Sequence, residues 1–191
     1  MDVPTDIPVA GEERVLIKNH GKRVVEQDFV YPDGVKTDPW LLFDGEKVPV
    51  IIFPYTDDGS VVLVRQFCHA ANSFVLELPG GCQEPGQSLE DAVKIELRQE
   101  TGYVADQIVR IGAAEGIWFE PHNHRVRFFP YLALGCRRVG EPTLDPTERL
   151  IVEITTIADF LEMVASGEVS DSKTITTSTL VFQKLRMLNY L

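Results

Sequence analysis

Runs of β-branched and aromatic residues, separated by Asp-Gly turns, dominate the first half of the chain. Val24 to Tyr31 and Leu41 to Phe43 alternate in part between apolar and polar positions. That period of two marks a strand with one covered face. Asp33-Gly34 and Asp44-Gly45 are hairpin-type turn pairs. Arg14 to Val50 is therefore expected to form a small antiparallel sheet, with Pro39-Trp40 between its parts. Met1 to Glu12, with Pro4, Pro8 and several acids, is expected to be a loose arm. Val48 to Tyr55 and Ser60 to Phe67 are nearly continuous apolar runs joined by Asp57-Asp58-Gly59. They predict a hairpin entering a core sheet. Phe74 to Leu78, Ile108 to Ile117, Val126 to Leu134 and Arg149 to Thr156 add strands, with a polar loop from Trp118 to Arg125. Ile157 to Ala165 has helical spacing and stops at Gly167, and a last helix falls within Thr174 to Leu191. Strands on both sides of a central helix, with helices at the end, give an α/β (α+β) class.

The central helix is the most informative element. Gly80 to Tyr103 reads as a Gly-rich loop running into a capped helix. Ser88 and Asp91 have capping-box spacing, with Asp in place of the usual Glu or Gln. Gly102 sits where a left-handed C-terminal cap belongs. Leu89, Val93 and Leu97 form one apolar stripe, while Glu90, Asp91, Lys94 and Arg98 point away from it. Glu96 and Glu100 are helical neighbours at the border of the stripe. Carboxylates turned toward a core are costly unless paired, hydrogen-bonded or bound to metal. The competing reading has both acids reaching water or a basic partner at the stripe's edge.

Composition narrows the function. The net charge of −11 argues against nucleic-acid binding through a broad basic surface. It leaves room for a nucleotide, whose phosphates reach carboxylates through divalent cations. The hydrophobic fraction of 44% is that of an ordinary globule. Cys68, Cys82 and Cys136 lack metal-site spacing. With no secretory pattern at the N-terminus, a reducing cytoplasm is expected. No apolar run approaches the ~20 residues that span a bilayer.

The Gly80 to Tyr103 stretch resembles the Nudix box, Gly, five residues, Glu, seven residues, Arg-Glu-apolar-x-Glu-Glu-x-Gly-apolar. Counted from Gly81 the spacing holds without gaps, and Gly81, Glu96, Leu97, Glu100, Gly102 and Tyr103 match. Gln87 replaces the first Glu, Ile95 the Arg, and Gln99 the first acid of the Glu-Glu pair. Val64-Arg65-Gln66-Phe67, Glu77-Leu78-Pro79-Gly80-Gly81 and Gly167 to Asp171 are similar to the ADP-ribose pyrophosphatase branch of that family.

The resemblance implies a Nudix-type α/β/α sandwich with a small N-terminal antiparallel sheet. It divides the chain into residues 1–47, an arm and sheet for homodimerisation, and residues 48–191, the Nudix domain. It implies hydrolysis of the pyrophosphate of ADP-ribose or a related nucleotide sugar with Mg²⁺ or Mn²⁺. The implied metal contacts are the Gly80 carbonyl, Glu96 and Glu100. Glu148, in the Asp145 to Leu150 loop, is the candidate for the distal catalytic acid, and His122 or His124 is an alternative base. Arg65 and Arg127 are candidates for substrate phosphates. Trp40 is either a packing residue or a platform for the substrate. Loss of three charged box positions leaves a second expectation, a weak or inactive module that binds a nucleotide.

Overall fold

The alternating strands and the continuous apolar runs sort into separate sheets. The structure is a computed structural model that describes residues 5–19, 21–188 and 190. The first four residues of the expected arm, and residues 189 and 191 of the expected last helix, lie outside the described residues. Two compact units form: Met1–Lys47 with Trp118–Arg127, and Val48–Ile117 with Phe128–Leu191.

In the first unit, β1 (Val9–Asn19), β2 (Lys22–Val30) and β3 (Trp40–Gly45) make an antiparallel sheet in the order β1-β2-β3. The arm is shorter than expected, because Val9 to Glu12 already belongs to β1. Ala10 pairs with Phe29, and Gln27 donates a side-chain hydrogen bond to the Gly11 carbonyl at 2.9 Å. The Trp118 to Arg125 segment, expected as a polar loop, is anchored to β3. The Phe43 N–H donates to the Asn123 carbonyl at 2.6 Å, and the Arg125 N–H donates to the Phe43 carbonyl at 2.8 Å. The Phe43 ring stacks on His124 at 4.9 Å. Arg125 bonds Glu13 at 2.5 Å and also Gln27.

The second unit carries β4 (Val48–Thr56), β5 (Ser60–Cys68), β6 (Ser73–Glu77), β7 (Gly80–Gln83), β8 (Tyr103–Val104), β9 (Gln107–Arg110), β11 (Arg127–Arg138) and β12 (Leu150–Thr156). The short β10 (Ile117–Trp118) lies where the chain passes from one unit to the other. The order β11-β4-β5-β12 runs through the sheet, with β11 parallel to β4 and β12 antiparallel to β5. The expected strand from Ile108 to Ile117 ends at Arg110, since Gly112 and Gly116 take positive φ in the turns that follow. The three α-helices among the described residues are α1 (Leu89–Glu96), α2 (Ile157–Ser166) and α3 (Ser172–Met187). The last begins two residues earlier than Thr174, because Asp171 caps it by accepting from the Thr174 N–H.

The apolar runs are continuous because both faces of β4 and β5 are covered. Ile51, Phe53, Tyr55, Val61 and Leu63 face Phe160 of α2 and Val181 and Leu185 of α3. Val50, Ile52 and Val62 face Ala92 and Val93 of α1, and Leu97. The α/β/α layering thus follows from strict alternation along the two central strands. It brings α1 over the sheet directly after β7.

Candidate active site

Two glycines begin the site. The expected Gly-rich loop is strand β7, in which Gly80 pairs with Ile51 and Gly81 with Val50. A Cβ at Gly80 would run into the Val50 carbonyl. A Cβ at Gly81 would run into the Glu96 carboxylate. The absence of side chains here lets the strand pair closely and seats Glu96 against its backbone.

The chain then turns into α1, where the Ser88 hydroxyl accepts from the Asp91 N–H at 3.1 Å and donates to the Asp91 carboxylate at 2.7 Å. The expected uninterrupted helix stops at Glu96. Leu97–Thr101 is a π-helical turn, closed by Gly102 at φ 77°. Such turns are rare and occur frequently at functional sites. Here Glu100 is turned inward, 3% exposed, and its Oε2 accepts from the Gly80 N–H at 2.8 Å. Thr101, fully buried, donates to the Leu97 carbonyl at 2.5 Å and accepts from the Tyr103 N–H at 3.1 Å.

Electrostatics sets these acids apart. Burial pushes the Glu100 carboxyl up to about 8, and the charges of Glu96, Glu148 and Glu77 add to the rise against the Gly80 N–H. Burial also raises Glu96, with Glu148, Asp145 and Glu84 reinforcing it and the Cys82 N–H opposing. Glu148 therefore lies within electrostatic reach of both box acids. It sits in a turn in which its carboxylate accepts from the Asp145 N–H at 2.9 Å. Glu77 is likewise raised by burial, and Lys173, 3.9 Å away, offsets it.

The donor chemistry suits a hard divalent cation. Mg²⁺ is usually held by one or two carboxylates, with water and substrate oxygens filling its other positions. Glu96, Glu100 and the Gly80 carbonyl would be the protein's share, and a cation there would relieve the mutual repulsion of the acids. Among the described residues, no group of three or more His, Cys, Asp or Glu side chains already converges into a metal cage.

The other candidates lie elsewhere. Arg65 is engaged by Glu153 at 2.5 Å and Glu168 at 2.8 Å, tying β5 to β12 and to the turn before α3. A substrate phosphate would have to displace those carboxylates. Trp40 starts β3 in the N-terminal unit, 43% exposed. Arg127 lies 3.9 Å over the Trp118 ring, also in that unit. His122 and His124 both face Glu120, and His124 is stacked on Phe43.

The three box departures have local accommodations. The Gln87 side-chain carbonyl accepts from the Glu84 N–H at 2.9 Å, closing the turn before α1. Ile95 is 45% exposed. Gln99 is exposed, and its backbone carbonyl accepts from the Thr143 N–H at 2.7 Å. Sequence reasoning missed the clasp beside Gly80. There the Leu78 N–H donates to the buried Thr174 hydroxyl at 2.9 Å, which donates to Asp171 at 2.9 Å. Asp171 three residues before Thr174 was the available signal, since this is N-cap spacing.

A family model described as NUDIX domain matches residues 45–175. The chain belongs to the Nudix family. An ADP-ribose pyrophosphatase of Bacillus subtilis (strain 168) is 32% identical over 126 residues, 65% of this Nudix chain and 66% of the relative. An ADP compounds hydrolase of Escherichia coli (strain K12) is 27% identical over 81 residues, 42% of this chain and 43% of the relative. The match thus spans about two thirds of the first of these curated relatives and less than half of the second. A crystal structure of an ADP compounds hydrolase superposes with a TM-score of 0.86 at 17% identity, covering 100% of both chains. That likeness shows the Nudix fold.

Proposed function

We propose that this Nudix protein is a divalent-cation-dependent pyrophosphohydrolase of ADP-ribose or a related nucleoside diphosphate sugar. The observation that carries the reading is the buried Glu100, aimed by the π-turn at Gly80 and set among the charges of Glu96 and Glu148. An acid held there against its own burial cost suits a site completed by a cation and a phosphate. The names of the Bacillus subtilis and Escherichia coli relatives support the substrate class.

Mg²⁺ or Mn²⁺, when bound, supplies charge to the phosphoryl oxygens and lowers the pKa of water. Glu96, Glu100 and the Gly80 carbonyl would hold the ions. Glu148 orients the attacking water and takes its proton. Water adds to one phosphorus, the bridging P–O bond breaks, and each half leaves as a phosphomonoester. ADP-ribose would give AMP and ribose 5-phosphate. Trp40 and Arg127 are assigned to substrate binding, and Arg65 to a phosphate once released from Glu153 and Glu168.

The same reading makes the protein a homodimer in a reducing cytoplasm, with a small nucleotide as substrate and no nucleic-acid or membrane partner. The three cysteines, an odd number without metal-site spacing, support the compartment. The net charge of −11 supports the choice of partner. No helix among the described residues is long and apolar enough to cross a membrane.

The test is turnover of ADP-ribose with Mg²⁺, with Mn²⁺ and with chelator, read as AMP and ribose 5-phosphate by chromatography. The wild type should turn over only with metal. Glu100→Gln should lower the rate more than tenfold, and Gln99→Glu should raise it. A folded, metal-binding wild type that leaves every nucleoside diphosphate sugar intact would sink the catalytic reading in favour of a nucleotide-binding module.

A further inference from the structure

Between β11 and β12 the chain runs through residues 139–149 without regular secondary structure. Glu148 lies near the end of this stretch, so its place depends on how the stretch is tied down. Residues 145–149 close on themselves. The Glu148 N–H donates to the Asp145 carbonyl at 2.9 Å, and the Asp145 N–H donates back to the Glu148 carboxylate at 2.9 Å. The Arg149 guanidinium donates to the Pro146 carbonyl at 3.0 Å. On the far side this turn is fixed to β5, where the Phe67 N–H donates to the Arg149 carbonyl at 3.1 Å. On the near side, residues 139–143 are strapped across the π-turn. The last carbonyls of a helix lack partners within it. Here the Val139 N–H donates to the Gly102 carbonyl at 2.9 Å, and the Thr143 N–H to the Gln99 carbonyl at 2.7 Å. Between these two bonds the Arg98 guanidinium donates to the Glu141 carbonyl at 3.0 Å. Two glycines make room for the strap. A Cβ at Gly102 would run into the Gly140 carbonyl, and a Cβ at Gly140 would lie 2.8 Å from the Arg98 guanidinium.

We propose that Arg98 is a positioning residue for Glu148, holding residues 139–143 on the π-turn so that the 145–149 turn is presented to Glu96 and Glu100. The proposal rests on the pyrophosphohydrolase reading for the role of Glu148. The charge of Glu148 is felt by both box acids, so the loop and the π-turn serve one site. The groups to be kept in register lie on different elements, Glu100 on the π-turn and Glu148 on the loop. Arg98 joins the two, because it shares the π-turn with Glu100 and bonds the stretch that leads to Glu148. Val139 and Thr143 contribute backbone N–H groups to the strap. Arg98 contributes a side chain, and a charged donor makes a stronger bond than a neutral one. A solvent-facing hydrogen bond adds little to stability. A displacement of about 1 Å at a reacting group, by contrast, costs on the order of 100-fold in rate. Arg98 thus matters more to the geometry of the reaction than to the fold.

Amide hydrogen exchange and turnover test this together on the full chain. The variants are Arg98→Ala, Gly140→Ala and Glu148→Gln, with thermal melts to check the fold. Gly140→Ala keeps the Arg98 charge but crowds its guanidinium off Glu141. Arg98→Ala and Gly140→Ala should each speed exchange of the Thr143, Asp145 and Glu148 amides about tenfold, with Mn²⁺ affinity unchanged. With Mn²⁺ bound, both should lower kcat for ADP-ribose about tenfold at unchanged KM. In the Glu148→Gln background neither should lower kcat further, because the group being positioned is gone. Exchange at Asp145 and Glu148 that is equal in wild type and Arg98→Ala overturns the proposal, even in a protein that hydrolyses nothing. A loosened loop with unchanged kcat overturns it as well. So does an undiminished loss on top of Glu148→Gln, which would place the action of Arg98 elsewhere. An effect of Arg98→Ala that Gly140→Ala does not share also overturns it, since the charge and not the placement would then matter. A wild type without turnover sinks the pyrophosphohydrolase reading, and the exchange rates then decide on the strap.

Discussion

A single carboxyl, Glu100, links folding to pH. Its ordinary value of 4.5 is raised in the folded protein to about 8, chiefly by burial. Between those two values the folded state holds a proton that the unfolded state has lost. Stability contributed by this group is therefore full below pH 4.5 and falls as pH rises toward 8. Glu96 and Glu77 are shifted in the same direction, again by burial first. Urea midpoints of the metal-free protein should decline across that window. Glu100→Gln should flatten the decline, and Mg²⁺ should counter it in the wild type alone. A wild-type midpoint that climbs with pH over the same range would contradict the burial described for Glu100.

At the scale of elements, the π-turn is the device that re-aims Glu100, and Thr101 holds it together. Thr101→Val keeps the shape but leaves the Leu97 carbonyl and the Tyr103 N–H without their partner. Unfolding by urea should show a loss of about 1–3 kcal/mol, the usual cost of stranding buried polar groups. Thr101→Ser should recover most of it, and a fully stable Thr101→Val would mean that the hydroxyl is dispensable. Both ends of the box element were legible in the sequence, because Ser88 and Gly102 have the chemistry of caps. So was the layering of β4 and β5, since continuous apolar runs demand two covered faces. The π-turn was not legible, because Leu97 to Thr101 fits α-helical spacing equally well and the extra residue is felt only in hydrogen-bond register. β7 was hidden for a related reason: glycines signal a loop, and the close approach to Val50 and Ile51 that requires them is a tertiary fact. The occupied state of Arg65 was hidden too, since Glu153 and Glu168 are remote in sequence.

At the scale of the whole molecule, the N-terminal unit carries apolar surface that its own sheet does not cover. Val15, Leu16 and Ile17 follow one another in β1 and all three are exposed. Among the described residues β1 is also an edge of its sheet, pairing with β2 alone. Long apolar edge strands invite pairing with another chain. Sedimentation at micromolar concentration should show a dimer. Leu16→Lys should shift it to monomer without loss of the second unit's fold. A wild type that sediments as a monomer would refute β1 as the association surface.

The crowding of acids around Glu96 also bears on how quickly a ligand arrives. Glu96, Glu148, Asp145 and Glu84 form one negative region in a chain of net charge −11. A nucleotide anion approaching it is repelled over roughly a Debye length, about 8 Å at physiological ionic strength. Encounter should thus be accelerated by monovalent salt, opposite to the usual steering of oppositely charged partners. At fixed saturating Mg²⁺, kcat/KM for ADP-ribose should rise with added KCl while kcat stays level. A fall in kcat/KM would mean that bound cations have already reversed the sign of the field at the mouth of the site.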